Sequence, residues 1–95
     1  MLINYYSVIQ KAKNGDKDAM TRLIKQFYPL MKRHAGYFHQ IGLEYDDVFQ
    51  QAALLFITGV LQYKEMPPVT FAGFMKKRIK WGLWGYWRKT KKYTV

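Results

Sequence analysis

Cysteine is absent from the 95 residues. That single absence removes disulfide frameworks, thiolate zinc sites and cysteine nucleophiles, and predicts a reducing compartment. Long apolar runs are absent too. No stretch approaches the roughly eighteen apolar residues a membrane span needs, and the opening Met1-Leu2-Ile3-Asn4-Tyr5-Tyr6 lacks the basic and long apolar segments of a secretory signal. A soluble, cytoplasmic chain without a membrane partner is expected. Acids are scarce, with 6 Asp and Glu against 16 Lys and Arg, and they are unevenly placed. Residues 1–68 carry eight Lys and Arg against six acids, whereas residues 69–95 carry eight and no acid. Eight of the ten net positive charges therefore fall in the last stretch. Such a field favours a polyanion, either nucleic acid or an anionic membrane surface. The plainer alternative is a solvated basic end.

Catalytic constellations are equally scarce. The two histidines, His34 and His39, stand five apart, a poor spacing for one helical face, and no third ligand accompanies them. They read as one surface and one groove histidine. Asp46 and Asp47 are adjacent, so on a helix their carboxylates diverge by about 100° and do not converge on a substrate. Asn14-Gly15-Asp16 is too short to be a phosphate loop and reads as a turn. Neither an enzyme, a metal site nor a cofactor is expected.

What is present is helical periodicity almost throughout, with no sustained two-residue alternation of the strand kind. The pattern predicts an all-α fold, a compact bundle of about four helices in one domain spanning residues 1–95. The first helix is expected over about Ile3 to Lys13, stopped by Asn14-Gly15. Asp16 then caps a second helix, with Asp18 in its first turn. That helix carries Ala19, Leu23, Ile24, Phe27, Leu30, Met31, Ala35, Phe38 and Ile41 and ends at Gly42. Pro29 lies in its middle and predicts a kink or a break into two shorter helices. The third helix, about residues 44–64, opens on Tyr45-Asp46-Asp47 and ends before Met66-Pro67-Pro68. The fourth, about residues 70–90, starts at the capping candidate Thr70 and continues despite Gly73, Gly82 and Gly85.

This fourth helix carries the functional argument. Wound at about 100° per residue, it sets Phe71, Met75, Ile79, Gly82 and Tyr86 on a core flank. The opposite flank collects Lys76, Lys77, Lys80, Trp84, Trp87 and Arg88. Ammonium and guanidinium groups neutralise phosphates, and indoles stack on bases that have left the duplex. Together they describe a surface for partly single-stranded nucleic acid. Two other readings stand beside it. The indoles of Trp81, Trp84 and Trp87 could turn inward as core, or Lys and Trp could serve an anionic membrane surface. A protein-interaction bundle with a merely solubilising basic end is a further alternative.

Three motifs in order resemble region 2 of bacterial sigma factors. Ala12 to Ala19, followed by Leu23 and Phe27-Tyr28-Pro29-Leu30, is similar to the turn and helix that open that region. Asp46-Asp47-Val48-Phe49-Gln50-Gln51-Ala52 resembles its polymerase-binding helix, and Phe71, Phe74, Ile79 and Arg88 fall where its promoter-melting and recognition helix would put them. The resemblance covers nearly the whole chain. It implies a transcription-initiation domain that binds promoter DNA, single-stranded or melted at a −10-type element, and docks on the clamp helices of the largest subunit of RNA polymerase core. Asp46, Asp47, Gln50 and Gln51 are the polymerase-facing positions it implies; Gln51 stands where the family has Glu. For DNA it implies Phe71, Phe74, Lys77, Arg78, Lys80, Trp81, Trp84 and Arg88, to which the flank of the fourth helix adds Lys76 and Trp87. Lys77 and Arg78 occupy the positions of the tandem tryptophans that wedge the duplex open in principal sigma factors. The upstream-reading domain of those factors has no counterpart here, which implies either a piece of a longer factor or a stand-alone regulator of the kind conjugative transposons and other mobile elements encode.

Overall fold

The computed structural model describes residues 5–92, with the side chains of residues 5, 91 and 92 left out of the description. Four helices account for almost all of it: α1 (Tyr5–Lys13), α2 (Lys17–Gln40), α3 (Tyr45–Gln62) and α4 (Phe71–Lys92). The all-helical expectation is met. Ile3 and Asn4, placed in the first helix by the sequence pattern, lie outside the described residues.

The chain turns where its local chemistry demands. After α1, Gly15 takes φ +96°, and the amides of Gly15 and Asp16 reach back to the carbonyls of Ala12 and Lys11. After α2, Gly42 takes φ +108° while the amides of Gly42 and Leu43 bond to His39 and Phe38 in the same way. Both are Schellman turns, which place the residue after the helix cap in the left-handed region that glycine alone enters without strain. In the second turn the buried Leu43 closes over the buried Phe38. Each following helix is then capped by a side-chain oxygen: Asp16 accepts from the Ala19 amide at 3.1 Å, Glu44 from Asp47 at 2.9 Å, and Thr70 from Gly73 at 3.0 Å. Asp16 and Thr70 are the caps expected from sequence; Glu44 was not singled out.

Pro29 does not divide its helix. α2 runs unbroken for 24 residues with Pro29 inside it. The reason is its direction: Pro29 and Lys25, whose carbonyl would have accepted the missing amide bond, both face solvent. Water can satisfy that carbonyl there, so the lost hydrogen bond costs less than it would in the core.

One hydrophobic core runs through all four helices, with Ile9 and Ala12 from α1, Leu23, Phe27, Met31, Ala35 and Phe38 from α2, Val48, Ala52, Phe56 and Val60 from α3, and Phe71, Met75, Ile79 and Leu83 from α4. Its aromatic heart is Phe71, whose ring meets those of Phe27, Phe56 and Tyr63 edge-on at 5.3, 6.2 and 5.1 Å, the preferred quadrupole geometry. On α4 the buried line is Phe71, Met75, Ile79 and Leu83, so Leu83 joins the flank read from sequence while Gly82 and Tyr86 sit at its half-buried margin. Gly82 matters by its size: an added Cβ would lie 2.5 Å from a methyl carbon of Leu55, and its absence lets α3 and α4 approach.

Candidate nucleic-acid interface

The core line on α4 fixes what the rest of that helix can present. Phe71, Met75, Ile79 and Leu83 face inward, so the side chains that lie on the opposite arc at about 100° per residue must leave the bundle. Lys76, Lys77, Lys80, Trp81 and Arg88 are exposed. α2 meets this arc along one border. Between the two helices runs a groove of about 740 Å³ lined by Arg33, His34, Tyr37, Phe38, Lys80, Trp81, Trp84 and Arg88. A second hollow shares Arg33, His34, Lys80 and Trp81 and extends the path to Lys76 and Lys77.

Cations and rings alternate along this groove. Trp81 is 60% exposed, and the Lys80 ammonium sits 5.5 Å from its ring centroid, close enough for cation–π attraction. Trp84 forms the floor. Its indole packs edge-on against Phe38 at 4.9 Å, Tyr37 at 6.0 Å and Trp87 at 5.5 Å, which holds it in one orientation. Five cations line the two hollows, Arg33, Lys76, Lys77, Lys80 and Arg88, and no carboxylate does. His34 is half-buried among them. Burial, followed by the charges of Arg33 and Lys80, pushes its imidazole below the usual histidine range, because the charged form loses hydration and meets like charge. It is the groove histidine; His39 is exposed, with Nδ1 donating to the Leu43 carbonyl at 2.9 Å.

The remaining residues singled out from sequence lie elsewhere. Phe71 is 5% exposed and belongs to the core, since its ring is enclosed by three others; it offers no face to a base. Phe74 is half-buried and packs on Tyr63 at 5.2 Å, away from the groove. Arg78 is turned toward α3, where Nε donates to the Leu55 carbonyl and a terminal nitrogen to the Thr58 hydroxyl, each at 2.8 Å. Gly59 makes that possible: a Cβ there would lie 2.7 Å from Arg78 Cδ. Trp87 is half-buried behind Trp84, and its Nε1 is buried without an acceptor among the described residues. The three indoles thus divide into one outward, one flooring the groove and one supporting it.

α2 contributes a wall that the sequence reading missed. Arg33 and Tyr37, one helical turn apart, repeat the pairing of cation and ring that singled out α4. That signal was present, but only the packing of α2 against α4 tells which flank of α2 it joins.

α3 is chemically the opposite. Tyr45–Gln62 contains no Lys or Arg, and its first turn holds Asp46 and Asp47. Asp46, Asp47, Gln50, Leu54 and Leu61 are exposed and Gln51 is half-buried. Among the described residues no group of three potential metal-ligating side chains assembles, and no helix is long and apolar enough to cross a membrane.

A family model described as a helix-turn-helix domain matches residues 6–64, more than half of the chain. The chain belongs to this helix-turn-helix family. No curated protein and no solved structure matches it. The match makes it a helical domain of the DNA-binding, regulator-like kind; it does not extend to sigma factor region 2 in particular. The matched residues span α1 to α3, and in that segment the helix after the Gly42 turn is α3. A recognition helix lying in the major groove needs Lys, Arg, Asn or Gln toward phosphates and base edges. α3 has glutamines but no Lys or Arg toward phosphates, and its first turn is acidic, whereas the basic helix, α4, follows the matched segment. The cationic surface of this domain is therefore shared between α4, which follows the matched segment, and Arg33 of α2 within it.

Proposed function

We propose that this helix-turn-helix domain is a sigma-like regulator that holds partly single-stranded promoter DNA in the α2–α4 groove and engages RNA polymerase core through α3. The observation that carries the reading is the segregation of charge: five cations and the Trp81 and Trp84 rings share one groove without a carboxylate, while α3 has acids and no cation. From Lys76 to Arg88 the helix advances about 18 Å, room for a few nucleotides of an extended strand. Lys76, Lys77, Lys80, Arg88 and Arg33 neutralise its phosphates. Trp81, exposed, stacks on an unpaired base, and Trp84, already held by Phe38 and Tyr37, gives a rigid second ring. Rigidity helps because little side-chain freedom is then lost on binding.

On α3, Asp46, Asp47, Gln50 and Gln51 supply acceptors for a basic partner surface, and Leu54 and Leu61 supply apolar area beside them. A polyanion is repelled from this face and attracted to the other, so both ligands can be held together. Binding of a short oligothymidylate, read by quenching of Trp fluorescence, tests the first half. Trp81→Ala is expected to weaken it by roughly tenfold, the order of one lost base stack. Pull-down of polymerase core with Asp47→Ala tests the second, and loses polymerase while oligothymidylate binding is unchanged. Should both activities fall together in the folded variant, or should anionic vesicles bind in preference to the oligonucleotide, the reading is overturned.

A further inference from the structure

The imidazole of His34 is the one side chain in the groove whose charge can change near neutral pH. It borders both hollows. From its own helix Arg33 and Tyr37 face it, and from α4 Lys76, Lys77, Lys80 and Arg88; neither hollow receives a residue from α1 or α3. Every charged neighbour is thus a cation, and partial burial, followed by the like charges, disfavours a further proton on the ring. A phosphate changes the balance. Its negative charge cancels the repulsion from Arg33 and Lys80, and its oxygen offers an acceptor for an imidazolium N–H.

We propose that the groove is a proton-linked seat for nucleic-acid phosphate, in which His34 takes one proton from solvent as a phosphodiester enters beside Arg33 and Lys80. This rests on the nucleic-acid reading given above and adds α2 to the binding machinery. The balance is simple: one phosphodiester anion and one proton enter, one additional N–H bond forms on the ring, and no covalent bond of the nucleic acid changes. Binding must then tighten as pH falls, because a ligand that raises the proton affinity of a group is itself bound better by the protonated form.

Anisotropy of a fluorescein-labelled oligothymidylate, at fixed ionic strength between about pH 7.5 and about pH 5.5, tests the linkage. Affinity is expected to rise several-fold across this range, and by no more than about tenfold per pH unit, the limit for one linked proton. His34→Gln loses most of the rise, whatever its affinity at the upper pH. If His34→Gln shows the same rise, the proton linkage is overturned and the nucleic-acid reading survives. If the native chain binds no oligothymidylate at any pH, the nucleic-acid reading itself fails. Nuclear magnetic resonance titration of the native protein needs no variant: the His34 midpoint rises on saturation with oligothymidylate. A His34 midpoint unmoved by saturating oligonucleotide would also sink the proposal.

Discussion

Lys77, Arg78 and Lys80 are near neighbours in sequence and carry the same charge, yet they do different work. Lys77 and Lys80 border the groove, Lys80 with its ammonium over the Trp81 ring. Arg78 is clasped to α3 through the Leu55 carbonyl and the Thr58 hydroxyl, and Thr58 in turn donates to the Leu54 carbonyl at 2.8 Å. Carbonyls inside a helix already accept from their own ladder, and Arg78 uses the second lone pair to tie two helices together. Arg78→Ala is therefore expected to lower folding stability by about 1–2 kcal/mol, the scale of half-buried hydrogen bonds to a charged donor. Chemical denaturation measures this. Oligonucleotide affinity of the folded fraction should change less than it does for Lys80→Ala, and the reverse order would place Arg78 at the interface after all.

Among the elements, α4 is unusual for holding three glycines in one long helix, and their environments differ. Gly82 is a contact glycine against Leu55, whereas a Cβ on Gly85 would meet nothing within 4 Å. Gly85→Ala should raise stability by up to about 1 kcal/mol, the helix-propensity difference. Gly82→Ala meets the same propensity gain but must force Leu55 aside, and the cost of overpacking, about 1–3 kcal/mol, exceeds it. Thermal melts of the pair give the comparison, and equal shifts for both would mean that Leu55 yields freely. The element order was legible in sequence because caps and turns are local: Gly15, Asp16, Gly42 and Thr70 announce themselves within a few residues. Of the two outcomes expected at Pro29, the break into two helices did not occur, because the effect of a proline depends on which side faces water, a tertiary property. The groove was half legible for the same reason. Lys76, Lys77, Lys80, Trp84 and Arg88 share a helix face that periodicity shows, but Arg33, His34 and Tyr37 join them only through packing between helices far apart in the chain. Phe71 matched a position of a family pattern and Arg78 stood where that pattern has tryptophan, and position in a pattern does not say which way a side chain turns.

On the scale of the whole molecule, five groove cations set how strongly salt competes with nucleic acid. Each phosphate neutralised on a single strand contributes about −0.7 to the slope of log affinity against log salt, so full engagement gives a slope of about −3.5. Affinity for oligothymidylate should then fall on the order of a hundredfold for a fourfold rise in salt, and Lys77→Ala should make the slope shallower by about 0.7. A slope near zero would mean that the groove does not hold the phosphate chain. The partition between a cationic α4 and a cation-free α3 also acts before any contact is made. A body whose positive charge is concentrated on one element feels a torque in the field of a polyanion, and the molecule would swing its α4 side toward the strand while still at a distance of about a Debye length. Productive orientation would then precede collision, with the groove already turned to meet the strand.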